Sequence, residues 1–135
     1  MPQRSEDPPE FSAGDAYRYR GPGQDQHPWV IVSDPLLDSQ RVLVANFTKW
    51  FSWKDQSCVV EASECPQVLT VKSCLRLDGC RIQKLGTLEE QLDRNHIVIK
   101  GDVGSLVLQR IRVAIQESRL APFEAKALLD EQSLV

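Results

Sequence analysis

The first continuous apolar run in the chain is Trp29-Val30-Ile31-Val32, set between His27-Pro28 and Asp34-Pro35. It is too short for a helix, and its β-branched residues favour extended backbone. The rest of the first two thirds repeats this form. Ala16-Tyr17-Arg18-Tyr19-Arg20 alternates aromatic and basic residues, as a half-buried strand does, and Gly21-Pro22-Gly23 breaks it. Arg41 to Phe47 is a further strand. Short candidates follow at Cys58–Val60, Val68–Val71, Cys74–Leu77 and Arg81-Ile82, divided by turns at Cys65-Pro66 and Gly79.

After Lys84 the period changes. Thr87-Leu88-Glu89-Glu90 matches a capping box, a hydroxyl followed three residues on by a carboxylate, and predicts a helix over Leu88–Arg94. His96–Ile99 predicts a last strand. Val107, Leu108, Ile111, Ala114 and Ile115 recur at helical spacing within Ser105–Glu117, which predicts an amphipathic helix. Pro122 suits the first turn of a final helix ending near Leu129. Short strands with Gly/Pro turns followed by helices predict a mainly β fold with appended helices, a small barrel closed by a C-terminal helix.

Length allows one core: 135 residues are too few for two comfortable domains. Residues 1–13 read as a flexible N-terminal arm, polar up to Ser12 except for Phe11, and 14–135 as a single barrel-plus-helix domain. The arm has no apolar core of a signal peptide, and no run in the chain approaches the ~18 residues that span a bilayer. A cytoplasmic, membrane-free protein is therefore expected, with its cysteines reduced. Cys58, Cys65, Cys74 and Cys80 contain no close C-x-x-C pair, so buried thiols rather than a metal site are expected.

Net charge is −3, which does not advertise nucleic-acid binding for the chain as a whole. The acidity lies toward the tails, however, and Lys72, Arg76, Arg81 and Lys84 face only Asp78 within Lys72–Gly86. That zone is either a solvated strand edge or a functional patch. Trp50, Phe51 and Trp53, followed by Lys54, suit stacking on single-stranded RNA, a protein-binding loop, or plain burial. Neither histidine lies in a nucleophile-elbow context, so a Ser-His-Asp hydrolase has no support.

The order of these motifs resembles the MazF/PemK-type growth-inhibitor toxin family over about residues 14 to 118. Gly14-Asp15 is similar to the family's Gly-Asp start. His27-Pro28-Trp29-Val30-Ile31-Val32-Ser33 resembles its Arg-Pro-x-strand-Ser segment. Val42 to Thr48 resembles the next strand, which ends Pro-hydrophobic-Thr, and the helix with Arg110-Ile111 resembles the closing helix. The resemblance implies an SH3-like barrel and metal-independent cleavage of single-stranded RNA by the RNA's own 2′-hydroxyl, with no cofactor. It further implies an antitoxin partner and a homodimer.

The chain departs from that pattern at two places: His27 stands where the family has its catalytic Arg, and Asn46 where it has Pro. Thr48 is retained. The catalytic expectation carried over is thus His27 and Thr48, an imidazole being able to move a proton near neutrality but not to supply a permanent forked cation. That cation is expected from Arg18, Arg20 or Lys49. Trp50, Trp53, Lys72 and Arg76 complete the expected RNA contacts. The alternative is a non-catalytic protein- or RNA-interaction module that kept the barrel and lost the active site.

Overall fold

A computed structural model describes residues 9–21, 27–51 and 58–134. Among these the order is β1 (Asp15–Tyr19), β2 (Trp29–Ile31), β3 (Arg41–Lys49), β4 (Val59–Val60), β5 (Ser73–Leu75), β6 (Arg81–Lys84), α1 (Leu85–Asp93), β7 (Ile97–Asp102), α2 (Ser105–Glu117) and α3 (Phe123–Glu131). Every strand pair is antiparallel, in the order β4-β5-β3-β2-β1-β7 with β6 also on β3. The short β-branched runs thus pair with sequence neighbours, as tight turns allow. Hydrogen bonding between the end strands β4 and β7 is not among these pairs, so the pairing describes a seven-stranded antiparallel sheet with three helices.

Strand β3 organises the sheet. Its first half pairs with β6, from Arg41↔Lys84 to Val44↔Arg81, and its last three residues pair with β5, from Phe47↔Leu75 to Lys49↔Ser73. Its opposite edge carries β2, from Trp29↔Asn46 to Ile31↔Val44. Between β5 and β6 a 3-10 turn, Leu77–Gly79, leaves the β3 edge and opens a notch beside Asn46.

Alternation along β3 sends its side chains into two cores. Leu43, Ala45 and Phe47 join Ala16, Val30, Val60, Leu75 and the apolar stripes of α2 and α3. Val42 and Val44 join Tyr17, Trp29, Ile31, Leu85, Leu88 and Ile97. Strands β1, β2, β4 and β5 all contribute to the first cluster, so one face of the sheet covers it. Helix α2 buries all five residues of its predicted stripe.

Four expectations are corrected. Phe11, assigned from sequence to the flexible arm, is fully buried against Tyr17, ring centroids 5.9 Å apart, and the Glu10 N–H donates to Glu89 at 3.1 Å. Packing therefore begins before Gly14. Val68–Val71 is a turn, not a strand: the N–H groups of Val68 and Leu69 both donate to the Cys65 carbonyl, and both side chains reach the core from there. Helix α1 starts at Leu85 rather than at a Thr87 cap. It leaves β6 directly, the Leu85 N–H donating to the Gln40 carbonyl at 3.0 Å, so one end group is satisfied without a hydroxyl. Glu90 instead pairs with Arg94. Pro122 sits at the cap of α3, its carbonyl accepting from Ala125, and the helix runs on to Glu131.

All four cysteines are free and buried. Burial pushes the Cys58 thiol up to about 11 and the Cys80 thiol up to about 12, and raises Cys65 as well. A raised folded-state value favours the protonated thiol, so this contribution is full below the unfolded thiol range and fades as pH climbs above it. Native protein at pH 8 is expected to react slowly with a thiol reagent and denatured protein quickly. Rapid labelling of Cys58 in the native state would contradict the buried assignment. Among the described residues no group of three or more His, Cys, Asp or Glu is placed to hold a metal ion, and no helix is long and apolar enough to cross a membrane.

Candidate nucleic-acid interface

The antiparallel register gathers one end of the sheet. The Phe47 N–H donates to the Pro28 carbonyl at 2.9 Å, which extends the β2–β3 ladder one step beyond Trp29↔Asn46, toward His27 on one chain segment and Thr48 on the other. His27 is exposed and Thr48 half-buried. The C-terminal end of β1, with Tyr19 and exposed Arg20, reaches the same edge, since Tyr17 pairs with Trp29. Lys49 and Lys72 arrive there through β3 and β5: the Trp50 N–H donates to the Lys72 carbonyl at 3.0 Å.

Facing matters as much as proximity. Val42, Val44, Asn46 and Thr48 alternate onto the face that carries Tyr17 and Trp29. Arg76 joins that region because its N–H donates to the Asn46 carbonyl at 2.9 Å. Its guanidinium is exposed, 3.4 Å from Asp78. Gly79 packs closely beside both: a Cβ there would lie 3.1 Å from the Asn46 amide oxygen and 3.8 Å from Arg76 Nε. The polar row across this face is therefore Trp29, Asn46 and Arg76, with His27 and Thr48 one step nearer the sheet's end.

Of the expected cations, Arg18 is not part of this group. Its guanidinium donates to the Val68 carbonyl at 3.3 Å, tying down the 65–69 turn on the other face. Arg20 and Lys49 reach the right end of the sheet. Lys49 Nζ lies 5.3 Å from the Phe51 ring centre, and Lys72 Nζ lies 4.4 Å from that of Trp50 and 3.4 Å from Glu61. Trp50 is half-buried, its indole N–H lacking a hydrogen-bond partner among the described residues, while Phe51 and Val71 are partly exposed. Trp53 lies outside the described residues.

Sequence reasoning assigned no role to Arg81 or Asn46. The Arg81 guanidinium lies over the Trp29 indole, 4.4 Å from its centre, and Asn46 is buried. Arg81 lay inside the basic stretch, but only the pairing of β6 with β3 puts it on the same face as Thr48.

Lengthening the side chain at Gly79 tests this geometry. G79A crowds the Asn46 amide, so it is expected to weaken binding of a single-stranded RNA to the notch while changing the melting temperature little. Unchanged binding would show that the notch takes no ligand.

No protein-family model matches the chain, and no curated protein matches it. Solved structures do. A mycobacterial endoribonuclease in complex with its cognate antitoxin is 17% identical, with a TM-score of 0.51 over 84% of this chain and 96% of that one. A MazE–MazF structure from Deinococcus radiodurans is 13% identical, with a TM-score of 0.51 over 78% and 92%. The chain thus shares the fold of MazF-type endoribonuclease toxins; at these identities the likeness speaks for the fold alone.

Proposed function

We propose that this chain is a cytoplasmic MazF-type toxin, an SH3-like barrel that cleaves single-stranded RNA without a metal. The observation that supports the reading is the Phe47-to-Pro28 hydrogen bond, which carries the β2–β3 pairing one step toward His27 and the retained Thr48. His27 accepts the proton of the RNA 2′-hydroxyl. The 2′ oxygen attacks the adjacent phosphorus, the bond to the 5′ oxygen breaks, and that oxygen takes a proton from solvent. The products are a 2′,3′-cyclic phosphate and a 5′-hydroxyl. Thr48 donates to a non-bridging oxygen, and Arg76, whose 3.4 Å pairing with Asp78 is exposed, supplies the charge that an imidazole cannot as negative charge builds on the phosphoryl oxygens. Arg20, Lys49 and Lys72 follow the strand's backbone. Trp50 and Trp53 stack bases or, with Phe51 and Val71, meet an antitoxin.

The test is product chemistry. Purified protein incubated with single-stranded RNA and chelator is expected to leave cyclic-phosphate and 5′-hydroxyl ends; 5′-phosphate ends or dependence on added metal would refute the mechanism. His27 in the family's Arg position favours a second reading, a non-catalytic interaction module. RNA bound but never cut, under any condition, would select it.

A further inference from the structure

The least expected contact on this face is between Arg81 and Trp29. Trp29 is 7% exposed, and its indole N–H is buried without a hydrogen-bond partner. Exposed Arg81 covers its ring. Gln83 holds the guanidinium from the side: with its amide turned to present oxygen, that oxygen lies 2.9 Å from Arg81 Nε and 3.2 Å from one terminal nitrogen. Both residues come from β6, on the face shared with Val42 and Val44. A cation meant for phosphate keeps its forked edge free, as bidentate pairing requires. Arg81 does the reverse. Part of its edge is engaged, and the guanidinium lies over an indole while the side chain as a whole is exposed.

A planar cation fixed in this way is a stacking surface. Bases in single-stranded RNA stack on guanidinium planes as they do on aromatic rings. We infer that the outer face of Arg81, backed by Trp29, is the platform for one nucleobase of an RNA strand whose backbone passes His27 and Thr48. This rests on the proposed function for the identity of the strand, but not on cleavage. The register sets the platform near the reacting groups: Arg81 pairs with Val44, two residues before Asn46 and four before Thr48 on the same face of β3. A base stacked there lies on the face that carries the buried Asn46.

The experiment measures binding of a short, labelled, mixed-sequence RNA carrying 2′-O-methyl groups, which cannot be cut, to wild type and R81K. Lysine keeps the charge and loses the plane. R81K is expected to bind about tenfold more weakly, the scale of one lost stacking contact. The dependence of affinity on salt should stay unchanged, since no charge is lost. An abasic version of the strand should bind both proteins equally. If R81K lowers the melting temperature, Q83L serves as the second variant: it frees the guanidinium edge without touching charge or indole, and should also weaken binding of the base-carrying strand alone. R81K binding as wild type does, or a loss equally large with abasic RNA, overturns the platform. Wild type that binds and cuts RNA while R81K binds equally well removes this inference alone. Wild type that binds no RNA removes it together with the proposed function. Binding without cleavage, with R81K weakened, removes only the cleavage reading.

Discussion

Alanine at position 27 is expected to lower RNA cleavage by about 10²–10⁴-fold, the usual worth of a positioned proton-transfer group, while leaving the melting temperature close to wild type. The fold should tolerate the change because His27 is exposed and precedes β2, whereas the neighbouring ladder bond runs through the main chain of Pro28 and Phe47. Loss of the imidazole removes the side chain that accepts the proton of the 2′-hydroxyl in the proposed reaction. Free imidazole added to H27A should restore part of the rate, because position 27 is open to solvent and the small molecule can reach it. Thr48→Ala should lose activity without rescue, since its hydroxyl donates a hydrogen bond rather than moving the proton. Cleavage by H27A at the wild-type rate would dismiss His27 from the chemistry. A rate lost beyond rescue, with the fold intact, would assign it to binding.

The second large effect concerns stability. Phe11→Ala is expected to cost about 3–5 kcal/mol, the range for emptying a large aromatic site in a core. Phe11 is fully buried, packs edge-on against Tyr17 and closes the cluster of Trp29, Ile31, Val42, Val44, Leu85, Leu88 and Ile97. The adjoining Glu10 N–H to Glu89 bond fixes the segment that carries it, so the site cannot easily collapse. Phe123→Ala provides the contrast. That ring is 85% exposed at the start of α3, and its removal should change stability by no more than about 0.5 kcal/mol. Urea unfolding of the two variants beside wild type reads both numbers, and a Phe11→Ala midpoint near that of wild type would show that the N-terminal segment does not support the core.

These two residues also mark how far the sequence could be read. Periodicity alone located the strands around Tyr17, Val30 and Val44 and the whole of α2, because alternation and the 3.6-residue repeat are local consequences of having one buried face. It failed where burial came from distant contacts. Phe11 stands in a polar stretch and looks like a tail residue; only the Tyr17 and Leu88 side of the sheet gives it a place. Val68 and Leu69 have strand composition, yet a turn closing on the Cys65 carbonyl buries them equally well. Thr87 and Glu90 have capping-box spacing, but the Gln40 carbonyl supplies the first acceptor from across the fold and the helix begins three residues earlier.

The candidate site divides in the same way. His27, Thr48 and the basic and aromatic residues were legible as residue types at suggestive positions in the chain. What they face was not, because a side chain's face depends on strand register, and register is set between segments far apart in sequence. Pairing of β3 with β2, β5 and β6 decided that Arg18 serves the opposite face, that Arg76 stands beside Asn46, and that Arg81 lies across Trp29. The sequence by itself determined which segments extend, which coil and which side chains are chemically able. Only the tertiary structure decided which of them meet, since meeting requires hydrogen bonds between strands that no local pattern encodes.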